Sequence, residues 1–546
     1  MTFARFAGLV GALWLACAGC GPALAARARP SLPDWPASPA GAALYLHGVL
    51  ASGEALDAVR QDTVPLKGEQ AACVNCHRHS GLGSKEGRNF IPPITGGFLF
   101  ESNTELPYVE GARPNRKAYT EESFARALRE GIDSEGRQMS YLMPHFALGD
   151  ADLAALIAHL RSLDHRRHPG VSDSELHFAT ILTPDVSAER REAVRRVIEQ
   201  FFQDRNAAPR GPTAQTMTTS GTTAYAKMMF KVNRHWVLHV WEPTGPASTW
   251  GAQLERSFAA QPVFAVISSV SGVHWTEVSS FCERRSVPCL FPNVEAPPAD
   301  ADHTFHTVYF SRGVLLEADL IAAGLAEARV DSPPARVVQV YRTDDVGAKG
   351  AEALTRTLQA RGISVMSRAL TRGASLGGVL RDVSGRDALV LWLRSADLQA
   401  LPAGPTAQLV YASGLMGGLD GASLPQGWRE HVHLAYPVDL PERRRVRVDY
   451  ARSWFRIRQI PVLDEQLEAD TYLACGLLSE TVKHLVDAFV PDYLIERLED
   501  TVEHRILTGY YPRLTLGPNQ RFASKGGFLV HFESTRLVPD GVWMTP

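Results

Sequence analysis

The pentapeptide Cys73-Val74-Asn75-Cys76-His77 decides how the first part of this chain is read. Cysteines at i and i+3 share one face of a helical turn, so both thiols can reach the two vinyl groups of one porphyrin. The histidine at i+4 falls on the same face, where its imidazole can meet the iron as proximal ligand. A thioredoxin-like redox pair does not need that histidine. A four-cysteine zinc site would need a second C-x-x-C pair, which the sequence beyond residue 25 lacks. The motif therefore predicts one covalently attached haem c, bound through Cys73 and Cys76 with His77 on the iron.

A sixth iron ligand has to come from a separate loop, and Gly136 to Pro144 (GRQMSYLMP) offers two thioethers. Met143 is the expected ligand because Pro144 fixes the backbone beside it. Met139 and His145 are the alternatives, and a His/Met pair would raise the reduction potential. The competing reading is that both methionines only fill core space. Gly41 to Gly53 opens with a short helical segment, and Phe90-Ile91-Pro92-Pro93-Ile94 is apolar and stiff enough to line the proximal side of a haem. Thr120 to Glu130 reads as a helix capped by Thr120, with Glu121 and Glu122 in its first turn. Asp150 is expected to cap a last helix in which Leu153, Leu156, Ile157, Leu160 and Leu163 recur at helical spacing. His47 and His159 read as surface or core histidines rather than ligands.

Haem turn, Met-Pro loop and terminal amphipathic helix, in that order, resemble the class I cytochrome c family over residues 40–165. The resemblance implies a small all-α domain with His77 and Met143 as axial ligands. It also implies electron transfer, with periplasmic redox partners such as a dehydrogenase or a terminal oxidase chain.

Met1 to Ala25 carries a targeting pattern: Arg5, the apolar run Phe6 to Ala18, and the small-x-small triplet Ala23-Leu24-Ala25. The run is too short to be read as a membrane span. Cys17-Ala18-Gly19-Cys20 is also similar to a bacterial lipobox, so lipidation at Cys20 is the alternative to cleavage after Ala25. Either outcome exports the protein to the periplasm, with no transmembrane segment in the mature chain.

With 546 residues the chain exceeds one ordinary domain, and 45% hydrophobic with 21% charged residues is a globular composition. A net charge of −3 supplies no basic field for nucleic acid. Arg443-Arg444-Arg445 reads as a solvated turn.

After the charged segment at residues 166–174, which reads as a linker, the pattern changes. Strand-like runs at Leu176–Leu182, His235–Trp241, Val263–Ser268, Val287–Phe291, Arg336–Tyr341, Gly362–Ser367, Ala388–Leu393 and Gln408–Tyr411 alternate with helical ones. That alternation predicts parallel sheets covered on both faces, and residues 175–546 are enough for two lobes. The order of segments, with Pro262–Ser269, Val287–Pro292, Val337–Gly347 and Tyr511–Phe522, resembles a type I periplasmic binding protein of the branched-chain amino acid kind. The resemblance implies two α/β lobes with a small, amino acid-like ligand closed between them. In that family the loop after the third strand supplies hydroxyls and N–H groups to a ligand carboxylate. The matching residues here are Ser269 and Ser271, with Tyr309, Ser311 and Arg312 at the lobe crossover. The competing reading is that these serines cap the helix beginning at Val273. Residues 206–234, with Met228-Met229-Phe230, depart from the family as an insertion.

Cys282 and Cys289 are candidates for a disulfide across a helix-to-strand turn in an oxidising compartment, and Cys475 reads as a buried free thiol. Asp344 and Asp345 read as helix caps rather than catalytic acids. No phosphate loop, zinc-protease motif or G-x-S-x-G nucleophile occurs. The expected whole is a multi-domain chain, a cytochrome c domain followed by a two-lobed α/β body, acting as an electron carrier rather than an enzyme. The alternative is a sensory or solute-binding protein whose haem reports redox state or ligand occupancy. A peroxidase-like haem enzyme would need an open distal site, which Met143 would occupy.

Overall fold

The computed structural model describes residues 38–61, 63–101, 106–112, 116–163, 168–207, 233–328, 334–371, 373–504, 508–518 and 520–546. The targeting segment with Cys20, the first residues of the expected linker, and Met228-Met229-Phe230 lie outside them.

Helix Pro39–His47 begins on Ser38, whose hydroxyl accepts the Gly41 N–H at 3.0 Å, and stops at Gly48 with φ 63°. It crosses the helix Asp150–Ser162 at Gly41, where a Cβ would sit 2.0 Å from the Ala155 carbonyl oxygen. Only glycine allows that approach. Leu44, Leu156 and Leu160 bury the crossing, joined by Phe124 and Leu128 of the helix Glu121–Glu130. That third helix opens, as expected, on Thr120, here with Ser123 in a reciprocal capping box. Asp150 does not cap. Gly149 is the N-cap and makes no side-chain hydrogen bond, while the Asp150 carboxylate turns to Arg129 at 2.7 Å. The domain is helical as expected and also carries short antiparallel strands. Asp57–Arg60 lies between Val64–Lys67 and His145–Phe146, and Ser84–Glu86 pairs with Asn89–Ile91.

The rest of the described chain forms two lobes, each on its own sheet. The first sheet is parallel, with Glu175–Ile181 between His235–Trp241 and Ala265–Ile267, followed outward by Cys289–Leu290 and Thr307–Val308. Its inner strands are largely buried, while His177 and His239 stack on one half-buried face between Glu175–Ile181 and the edge strand His235–Trp241. The second sheet orders Val365–Leu370, Arg336–Arg342, Asp387–Trp392, Leu409–Ser413 and Val432–Tyr436 in parallel. Phe528–Glu533 and Arg536–Pro539 then extend it in antiparallel fashion.

Between Val432–Tyr436 and Phe528–Glu533 the chain leaves the second lobe through three helices, Pro441–Ile457, Glu465–Leu485 and Pro491–His504. Glu465–Leu485 packs on Ala188–Ala207 of the first lobe. The crossing segments are stitched together, Tyr309 N–H donating to Arg521 O at 2.8 Å and Ser524 N–H to Phe310 O at 2.7 Å. One apolar cluster joins Phe178 and Phe264 of the first sheet to Leu477 and Leu494 of the returning helices, and takes in Leu82 and Val109 from the N-terminal domain. The segment that follows the C-x-x-C-H turn is therefore built into the core of the body. No helix among the described residues is long and apolar enough to cross a membrane.

Candidate functional site

Cys73 to His77 winds into a single helical turn, with the His77 N–H donating to Cys73 O at 2.9 Å and the Cys76 N–H to the same oxygen at 3.2 Å. The turn puts both sulfurs and the imidazole on neighbouring positions of one face. His77 is only 5% exposed. Its Nδ1–H donates to Pro92 O at 3.0 Å, which commits one ring nitrogen and leaves Nε2 for a metal. Burial holds this imidazole at about 4, so it is neutral, as a metal ligand must be. Cys73 is half-buried against the domain core, and burial pushes its thiol up to about 12; Cys76 is exposed. The two are unbridged. Two unbridged cysteines on one turn beside a neutral, oriented imidazole fit a covalently held haem. The apolar Phe90–Ile94 segment, read as a proximal wall, supplies the carbonyl that orients His77.

The chain leaves this turn at Arg78 with φ 67°, a left-handed conformation uncommon outside glycine. Three contacts hold it. The Tyr45 hydroxyl donates to Arg78 O at 2.6 Å, the Arg78 guanidinium pairs with Glu499, and Arg521 pairs with the same carboxylate at 3.1 Å. Two residues on, the Ser80 N–H and Oγ–H donate to the two oxygens of Glu496 at 2.8 and 2.6 Å. Between them the His79 ring stacks on Phe305 at 4.0 Å. Glu496 and Glu499 both lie on Pro491–His504, the last of the three returning helices.

Met143 is half-buried and packs against the core cluster of Leu44 and Phe124, the same cluster that Cys73 and Val74 pack against. Its N–H donates to Ser140 O at 2.9 Å, closing the turn before Pro144. Met139 is tied to the end of a helix by its N–H to Gly131 O at 2.8 Å. The His145 ring packs beside Gly131, where an added Cβ would meet its Nε2 at 2.5 Å. His47 is exposed and His159 is buried against Tyr45 at 5.1 Å, in keeping with their reading as surface and core residues.

A cleft of about 770 Å³ separates the two lobes. Of the residues expected at the ligand, Ser311 lines it, while Ser269, Ser271, Tyr309 and Arg312 do not. The Ser269 hydroxyl accepts the Ile181 N–H at 2.9 Å and is wholly buried, because the loop turns back over the sheet ends. Ser271 is buried beside it, with its hydroxyl unpartnered. The Tyr309 hydroxyl accepts the Trp275 indole N–H at 3.1 Å inside the first lobe, and Arg312 pairs with Asp319 at 2.7 Å. The cleft is instead lined by residues the sequence reading passed over. Arg394 spans the lobes from Glu295 at 2.5 Å to Asp345 at 2.7 Å, and Arg190 adds contacts to Glu295 at 3.3 Å and Asp464 at 3.2 Å. Burial would raise the carboxyls of Glu295 and Asp345, yet Arg394 holds both low. Asp344 and Asp345, expected as helix caps, do not cap the helix Gly347–Ala360: its N-cap is Val346 with no side-chain cap, and the Asp345 carboxylate accepts the Val346 N–H at 2.7 Å. At the floor the Tyr510 hydroxyl donates to Glu465 at 2.6 Å and that of Tyr511 to Asp470 at 3.3 Å.

Cys282 and Cys289, the candidate disulfide pair, stand side by side and unbridged in the structure. Both are buried free thiols within hydrogen-bonding reach of one another, and burial pushes that of Cys289 well up. Cys475 is a buried free thiol, as read.

Residues 68–164, which include Cys73, Cys76, His77 and Met143, match the family model for cytochrome c. No curated protein matches the chain. Among solved structures it is similar to a leucine-binding protein from Thermotoga maritima MSB8, at 13% identity and TM-score 0.46, over 68% of this chain and 99% of that one. A fatty acid ABC transporter substrate-binding protein from Thermomonospora curvata is similar at 11% identity and TM-score 0.49, over 70% and 95%. A putative branched-chain amino acid ABC transporter from Rhodospirillum rubrum is similar at 18% identity and TM-score 0.46, over 67% and 100%. Residues 68–164 thus carry the match to cytochrome c, and the larger body that follows is two α/β lobes, each on its own sheet.

Proposed function

We propose that this chain is an exported, single-haem c-type cytochrome whose α/β body binds a small ligand between its lobes. Cys73 and Cys76 carry the haem through thioethers, His77 and Met143 are its axial ligands, and residues 166–174 divide the two parts. The haem supplies one-electron transfer; the chain's residues orient it, shield it and present it to periplasmic donors and acceptors, and no catalytic step is assigned. The observation that carries this reading is the C-x-x-C-H turn with a buried His77 whose Nδ1 is fixed by Pro92. Its test is the mass of protein matured in a haem-attaching periplasm, measured after denaturation. A mass increase of one haem, lost in Cys73→Ala/Cys76→Ala, is expected; an unmodified mass would remove the reading.

A second reading, in which the haem reports ligand occupancy, is favoured by one observation. Helix Pro491–His504 holds the haem turn through Glu496 and Glu499, and the chain that follows it carries the cleft residues Tyr510 and Tyr511. Coupling of that kind would shift the haem potential on ligand binding, and by linkage the ligand affinity on reduction. A potential indifferent to every ligand of the cleft would leave a carrier with an independent binding body.

A further inference from the structure

The cleft's own charges say what it would accept. Four arginines line it, and each already faces a partner within the chain. Arg190 and Arg394 meet Glu295, Arg452 meets Glu465 at 2.5 Å, and Arg444 meets the Tyr436 hydroxyl and the Asp439 carbonyl at 2.5 and 2.6 Å. The starts of three long helices border the cleft, Ala188–Ala207, Val314–Glu327 and Glu465–Leu485, and N–H groups of each already have acceptors. In the first the Ser187 hydroxyl accepts the Arg190 N–H at 3.3 Å. At Val314–Glu327 the Ser311 hydroxyl accepts the Gly313 N–H at 3.2 Å, and Glu295 O accepts the Val314 N–H at 2.8 Å. At Glu465–Leu485 the Asp464 carboxylate accepts the Leu467 N–H at 3.2 Å. The hydroxyls expected to receive a ligand carboxylate, on Ser269 and Ser271, lie outside the lining.

What is left open is an acceptor. Asp470 is 5% exposed and forms part of the cleft floor. Its Oδ2 accepts from Tyr511, while the buried Oδ1 makes no hydrogen bond of regular geometry, with only the Gln466 amide of the cleft lining near the carboxyl. The hydroxyls of Tyr510 and Tyr511 both point their hydrogens at carboxylates, so toward the cleft they offer lone pairs. A buried carboxylate oxygen without a well-aligned donor costs free energy that a ligand donor would recover. With Asp470 ionised, the five lining carboxyls Glu295, Asp420, Asp464, Glu465 and Asp470 exceed the four arginines Arg190, Arg394, Arg444 and Arg452 by one charge. Leu415, Met416 and Phe310 supply apolar wall, and Phe310 stacks on Tyr511 at 5.3 Å.

We propose that the cleft takes a monocationic primary amine with an apolar tail and no carboxylate, its ammonium docked on Asp470 beside Tyr510 and Tyr511. This rests on the reading of the cleft as a ligand site and narrows it. Burial pushes the free Asp470 carboxyl up to about 8, with Asp464 raising it further and Tyr511, Gln466 and Arg444 opposing. Ammonium binding at neutral pH therefore replaces a proton.

The test is calorimetric titration of the full haem-bearing chain with 3-methylbutylammonium, with leucine, which adds an α-carboxylate to the same tail, and with 4-methylpentanoate, which lacks the amine. The amine is expected to bind, and the other two to bind about tenfold more weakly or worse, since each leaves a carboxylate without a partner. Asp470→Asn is expected to weaken the amine about tenfold or more while the haem spectrum is unchanged. Should that variant not fold, heats measured in two buffers of different ionisation enthalpy decide, because wild-type binding should release close to one proton. Leucine or 4-methylpentanoate binding more tightly than the amine would overturn the proposal and keep the cleft as a ligand site. An unaffected Asp470→Asn variant, or no proton release, would overturn it too. Binding of none of the three would count against both.

Discussion

Ser80 donates both its backbone N–H and its hydroxyl to the two oxygens of Glu496, across 416 positions of sequence. Three residues after the expected iron ligand, the haem turn is thereby fastened to a helix of the α/β body. Glu496 is wholly buried, and burial pushes its carboxyl up to about 8. The arrangement makes the N-terminal domain an integral part of the molecule rather than a tethered carrier.

Glu496→Ala leaves two buried donors of Ser80 without acceptors, at about 1–3 kcal/mol each. Denaturant unfolding should show a loss of that order, and proteolysis should open the contact between the domains first. Glu496→Gln keeps one acceptor and should lie between. Equal stability of Glu496→Ala and wild type would mean the docking is not fastened here.

Met143→Ala is expected to convert the oxidised haem to a high-spin, water-accessible form, because it removes the thioether proposed as the sixth iron ligand. Met139→Ala should leave the spectrum as it is, its backbone being tied to Gly131. The reverse pattern would exchange their roles.

Gly41→Ala would place a methyl 2.0 Å from the Ala155 carbonyl, so the crossing of the first and last helices of the domain must widen. The cost should be at least about 1–3 kcal/mol, as for overpacked cores, read from unfolding followed by haem absorbance. An unperturbed variant would show that the crossing is looser than it stands.

Much of this architecture is visible in the sequence because the signals are local. His235–Trp241 carries its strand in seven consecutive residues, and Thr120 announces a helix through its capping position. The C-x-x-C-H turn is local too. What was not legible depends on distance. Arg443-Arg444-Arg445 reads as a solvated turn, yet it lies in the helix Pro441–Ile457, where Arg444 covers Tyr510 at 4.4 Å. The charges mask an amphipathic helix: Arg444 bonds to Tyr436 and Asp439 just before it in the chain, and its cover over Tyr510 forms only once the chain has crossed between the lobes. Likewise Ser269 sits in the expected loop, but how deeply that loop is buried depends on the sheet ends around it. Asp470 and Arg394 carried no local mark at all; the cleft exists only where separate crossings meet.

Alkaline pH should destabilise the chain, and the sign follows from the buried groups His306, Glu317 and Asp470. Glu496 and Glu468, pushed up by burial to about 8 and about 7, set the same sign. Burial opposes the charge on His306, but hydrogen bonds to Asp492 at 3.1 Å and Glu283 at 3.2 Å overcome it and raise the imidazole from 6.5 to about 9. A folded pKa above the unfolded one gives stability that is complete below pH 6.5 and lost as pH climbs through about 9. Its size is at most about 3 kcal/mol, from 1.36 kcal/mol per unit. Burial raises Glu317 and Asp470 to about 8, so both hold a proton when folded that they release when unfolded near neutrality. Above the ordinary carboxylate range the unfolded state binds fewer protons than the folded one, so their contribution also falls as pH rises, and is gone past about 8. All five act in one direction. The melting temperature should therefore drop steadily from pH 6.5 to 9, a window set by the His306 shift. His306→Gln should start lower and fall less steeply, because it lacks one of the five titrations. A melting temperature flat across that window would mean that the His306 ion pairs do not form in solution.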